Sequence, residues 1–261
     1  MEEASSFLKK LEILEDCFDL SESSEFWLDK LDNTSCLYSD EEKIKRFSEV
    51  SIIHPFRNRL LLYQAFHHPT YLTPEAISSN YNYVNSSYHR LSFLGEALIS
   101  MIVSKWVYTK NPGVEITENT LHKLKICGIN HHIISLMSID LAFDSCIYAW
   151  NIELKEDLKR YKEKISEKRQ NWESPKRIKK EDYSDLDIEF TVILCEVFYS
   201  FWGAVLLDTK NLPITIDKFR KVCEEYLLEN ATLENYTEHP KVEILELFFN
   251  RRIFFKEIKE K

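Results

Sequence analysis

Apolar positions along the chain recur mainly at helical spacing. Phe7, Leu8, Leu11, Leu14 and Phe18 form one stripe, Phe26 to Leu31 a second, and Asp40-Glu41-Glu42 opens a third segment with acids at the positive end of a helix dipole. These elements predict a helical N-terminal arm over residues 1–52. Arg57 to Tyr71 reads as a helix stopped by Pro69, and the Asn- and Ser-rich stretch from Ser78 to Ser87 as a loop. Tyr88 to Tyr108 carries Leu91, Leu94, Leu98, Ile102, Val103, Trp106 and Val107 without a proline, which predicts a long buried helix ended by Asn111-Pro112-Gly113. Shorter helices follow over Thr117 to Ile126 and His132 to Met137. Ile188 to Asp208 is a second dense apolar stripe, Ile214 to Leu228 is amphipathic, and His239 to Phe249 reads as a last helix with Pro240 near its first turn.

One segment breaks this rhythm. Glu153 to Asp187 is dominated by charge, basic from Lys155 to Lys180 and acidic from Glu181, with little core periodicity after Ile165. It is expected to be a solvated helix followed by a mobile linker. The domain plan is an arm (1–52), an all-α domain (53–250) with a charged insertion (about 153–187), and a basic tail (251–261).

Composition narrows the classes. Only four glycines occur in 261 residues, too few for the tight turns of a β-sandwich or a Rossmann sheet. The net charge of -9 has the wrong sign for a stand-alone nucleic-acid binder, whose affinity rests on phosphate neutralisation. Cys17, Cys36, Cys127, Cys146, Cys195 and Cys223 are widely spaced, with no ligand pairing, and read as buried reduced thiols. The acidic start lacks an Arg-rich stretch and an apolar run, so no targeting signal is visible, and cytoplasm or nucleus is the expected location. No apolar run approaches the ~20 residues that span a bilayer, so no membrane partner is expected. The starting Met and acidic arm favour a complete small protein over a fragment.

Four blocks carry a family resemblance. Tyr88-His89-Arg90-Leu91-Ser92-Phe93-Leu94-Gly95-Glu96-Ala97-Leu98 resembles the ribonuclease III signature E-R-L-E-F-L-G-D-A. Leu194 to Asp208 resembles the second family motif, A-D-x-F-E-A-x-x-G-A-I-Y-L-D. Leu62 to Tyr71 is similar to L-x-x-A-F-T-H-x-S-Y, and Asn111-Pro112-Gly113 with the following helix matches a further segment. The blocks keep the family order over roughly Ile53 to Phe249, and the insertion and closing helix lean toward the second ribonuclease III domain of Dicer enzymes.

The resemblance implies an all-α ribonuclease III endonuclease fold and a metal-dependent phosphodiesterase using Mg²⁺ or Mn²⁺ held by four carboxylates. Those positions fall on Ser92, Glu96, Glu196 and Tyr199, and a supporting acid falls on His89. Only Glu96 and Glu196 remain as metal-binding carboxylates, each one methylene longer than the family residue. Phe93 and Gly95 fall on positions that serve dimerisation and close helix packing. The resemblance therefore implies a domain with impaired chemistry that pairs with another ribonuclease III domain, as homodimer or heterodimer, on double-stranded RNA. No RNA-contacting residue is assigned. Two other readings stand beside it: an active endoribonuclease with an unusual metal site that needs Glu96 and Glu196, and a structural ribosome-associated protein on the same fold. The missing transit peptide and the acidic charge count against the last. His67 and His68 read as structural, and Phe198, Tyr199, Phe201 and Trp202 as core rather than a base-stacking platform.

Overall fold

The computed structural model describes residues 50, 52–69, 87–113, 116–147, 152–172, 174–178 and 186–235. The arm up to residue 49, the closing helix and the basic tail lie outside the described residues. Those described form helices α1 (Arg59–Ala65), α2 (His89–Lys110), α3 (Glu118–Gly128), α4 (His131–Asp140), α5 (Ile152–Arg169), α6 (Ile188–Thr209) and α7 (Leu212–Asn230), with short 3₁₀ turns at Phe143–Cys146 and Leu233–Asn235. No strand occurs among them.

Helix α6 is the central post. Val197, Phe198, Phe201, Trp202, Ala204 and Val205 on it are all fully buried. An apolar helix of this kind must be covered on several sides, and α1, α2, α4 and α7 pack around it. The aromatic run is core: Phe201 meets Phe143 at 4.7 Å between centroids, and Trp202 meets Phe219 at 5.1 Å.

The tightest join is between α2 and α6. A Cβ added to Gly95 would lie 1.7 Å from the carbonyl oxygen of Tyr199, and one added to Gly203 would lie 2.2 Å from that of Leu91. Both glycines are therefore required by close backbone approach, not by turn conformation.

Local chemistry explains the helix ends. The side chains of Thr117, Asn130, Asp187 and Asn211 each accept a backbone N–H in the first turn of α3, α4, α6 and α7. Lys210 ends α6 in the left-handed region at φ 49°, where its N–H reaches Leu206 O.

Three sequence expectations need correction. Helix α1 stops at Ala65, earlier than Pro69, because the chain turns so that His67 O can accept the backbone N–H of Tyr88 at 3.1 Å. The insertion is not a solvated arm. Leu154, Leu158, Tyr161 and Ile165 form a buried stripe along α5, and Tyr161 Oη lies 2.7 Å from Thr191 Oγ1 of α6. Beyond it, Ile178 is buried, its N–H donates to Asn230 Oδ1 at 3.1 Å, and Asn230 Nδ2 donates to Lys176 O at 2.7 Å. Helices α2 and α6 are each long and apolar enough to cross a membrane by length and composition, although no continuous apolar run announces it. Their apolar surface is instead the protein core, most fully for α6.

A candidate active site at the crossing of two core helices

The crossing of α2 and α6 positions the sequence-predicted residues. His89, Ser92 and Glu96 lie on α2 at spacings of three and four, hence on one face. Glu196 and Tyr199 lie on α6, two turns and one turn before Gly203. The same backbone contact that demands glycine at 95 and 203 therefore brings these two faces together.

The five side chains have different surroundings. Ser92 is 8% exposed and Tyr199 is 7% exposed, so both sit inside the crossing. Glu96 and His89 are exposed, and Glu196 is half-buried. Burial pushes the Tyr199 phenol well above its ordinary range, and the neighbouring Cys195 and Glu96 push the same way. Tyr199 is therefore a neutral hydroxyl at any ordinary pH, as Ser92 is.

Glu196 is the best-connected of the set. Tyr88 Oη donates to its Oε2 at 2.9 Å, and His89 Nδ1 lies 3.8 Å from its Oε1. The structure thus joins Glu196 to His89 and sets Glu96 near Tyr199. Among the described residues, no group of three or more His, Cys, Asp or Glu side chains is arranged to hold a metal ion.

Tyr88 is a site residue that periodicity and motif matching passed over. It directly precedes the signature, and it is almost wholly buried. Its ring edge meets His68 at 5.7 Å and His89 at 4.9 Å. A second unforeseen cluster lies at the other end of α6. There, buried Asp208 accepts from the backbone N–H of Arg57 at 3.0 Å and of Asn58 at 2.7 Å, with His54 Nε2 at 2.8 Å. Its signals in the sequence are the closing Asp of the second motif and the position of an acid at the end of an apolar helix, which is costly unless partnered.

Phe93 stands apart from the site residues beside it. It is 79% exposed on a helix whose neighbouring positions Leu91 and Ser92 are buried. Ala97 and Met101 follow it at intervals of four and are also exposed.

Residues 89–210, from the first residue of α2 to the cap of α6, match the Ribonuclease III domain family. They form a ribonuclease III domain. Among individual proteins, the chain is 25% identical over 206 residues to endoribonuclease Dicer-L of Xenopus laevis, covering 76% of this chain and 10% of that protein. It is 30% identical over 129 residues to Dicer-like protein 1 of Neurospora crassa, covering 49% of this chain and 8% of that one. Ribonuclease 3 of Bacillus velezensis is 28% identical over 110 residues, covering 42% and 41%. The chain spans about a tenth of the length of the Dicers it matches. The nuclease domain of ribonuclease III from Campylobacter jejuni aligns in structure with a TM-score of 0.46 at 17% identity, covering 68% of this chain and 96% of that one.

Proposed function

We propose that this domain works in double-stranded RNA processing chiefly by pairing with another ribonuclease III domain, with its own hydrolysis impaired. The observation that carries the reading is the contrast at one crossing. The packing glycines and the exposed Phe93 are kept, while two of the four metal-holding positions are a buried serine and a buried neutral tyrosine.

The chemistry supports this reading. Mg²⁺ needs hard oxygen ligands in near-octahedral array, with several carboxylates to offset its charge. Ser92 and Tyr199 supply neutral oxygens, and Glu196 already accepts from Tyr88. The residues present do not fit a Mg²⁺ cluster of the family kind. What its own residues do is hold α2 against α6 and present Phe93, Ala97 and Met101 outward for a partner.

Two measurements test the reading. End-labelled long double-stranded RNA is incubated with the purified chain in Mg²⁺, then Mn²⁺, beside a Glu96→Ala/Glu196→Ala variant. Neither protein is expected to cleave; cleavage that the variant loses would establish an active site of unusual composition. Sedimentation velocity then compares the chain with Phe93→Ala, alone and mixed with an active ribonuclease III domain. Association that depends on Phe93 is expected, and a Phe93-independent monomer under all conditions overturns the pairing role.

A further inference from the structure

Glu196 has a protein group near each of its oxygens. Tyr88 is nearly inaccessible to solvent, its backbone N–H is fixed by His67 O, and its ring is flanked by His68 and His89. Its hydroxyl therefore has little freedom to leave Glu196 Oε2 at 2.9 Å. The other oxygen faces the exposed imidazole of His89 at 3.8 Å. His89 stands where the family resemblance puts a supporting acid, so the local change at this position replaces a carboxylate by a group that can carry positive charge.

A carboxylate that accepts from a buried hydroxyl and faces an imidazole has its charge offset from within the chain. A divalent cation at the same oxygens would compete with both groups for the carboxylate's charge. We infer that Tyr88 and His89 serve Glu196 as built-in counter-groups in place of a metal ion, turning the carboxylate into a tie between α6 and the start of α2. This rests on the proposed reading of the site as unsuited to Mg²⁺, and it goes further by naming the groups that stand in the cation's way.

The test uses the full chain and Mn²⁺ alone, with binding followed by loss of the free-ion electron paramagnetic resonance signal. The chain itself is expected to show no Mn²⁺ binding that depends on Glu196 in the micromolar range. Tyr88→Phe and His89→Gln are each expected to gain such binding, tighter by about tenfold where one charge-assisted hydrogen bond has been removed, and adding Glu196→Gln to either should abolish the gain. His89 is exposed, so His89→Gln keeps the measurement decisive if Tyr88→Phe fails to fold. Glu196-dependent Mn²⁺ binding by the unaltered chain overturns the inference, and so does the absence of any gain in folded variants. RNA cleavage and association are read in separate assays, so failure here leaves the pairing role standing.

Discussion

Asp208 shows how much one side chain can carry. It closes an apolar helix, yet its carboxylate takes two backbone N–H groups and the ring of His54, while its own carbonyl accepts from the Arg57 guanidinium at 2.8 Å. Asp208→Ala would leave the Arg57 and Asn58 N–H groups without their acceptor next to the core. We expect a loss of about 3 kcal/mol in urea unfolding, since a buried donor stripped of its partner costs more than the bond itself is worth. A loss below about 0.5 kcal/mol, the range of ordinary surface changes, would show that water replaces the carboxylate. Gly95→Ala is expected to be at least as damaging, because its methyl would meet a backbone oxygen that cannot swing aside. At this scale the sequence was partly legible. Motif spacing singled out Glu96, Glu196, Ser92, Tyr199 and His89, which lie on the two helices that meet at the crossing. It could not reveal Tyr88 as the partner of Glu196, because that contact joins residues 108 positions apart through a single hydroxyl.

Among the elements, α2 and α6 were easiest to foresee and α5 hardest. The two core helices have dense apolar stripes, and their observed ends lie within two residues of expectation. Helix α5 hides four buried positions among lysines and glutamates, so its mean character is polar while one face is not. Its charges also find partners: Lys162 meets Asp144 at 2.9 Å, and Arg169 meets both oxygens of Asp140 at 2.7 and 2.9 Å. The stripe, not the charges, should set its stability contribution. Ile165→Ala is expected to cost about 2–4 kcal/mol, as for other buried aliphatic truncations. Lys159→Ala, which removes an exposed pair to Glu163 at 4.0 Å, should cost under about 0.5 kcal/mol. Equal effects from the two would mean that α5 is held by its surface ion pairs.

Taken as a whole, the molecule should dislike acid. Burial lowers His67 to about 4, and burial followed by a neighbouring histidine does the same to His68 and His132. Burial also lowers His54, against the opposing pull of Asp208. These groups bind protons more readily in the unfolded chain, where the ordinary value is 6.5. Stability is therefore full above that pH and falls as pH drops from 6.5 toward 4. A Tm that declines steadily across that window at constant ionic strength is the expected outcome. A flat profile would mean that these rings are solvated in the native state.

The lock between Gly95 and Gly203 has a consequence for inheritance. Main chain touches main chain there, so the angle between the two helices does not depend on which side chains flank the contact. An exposed position such as 96 can then change without dismantling the scaffold that holds it. Under the proposed pairing role, selection that retains the shape would leave the chemistry at the crossing free to change.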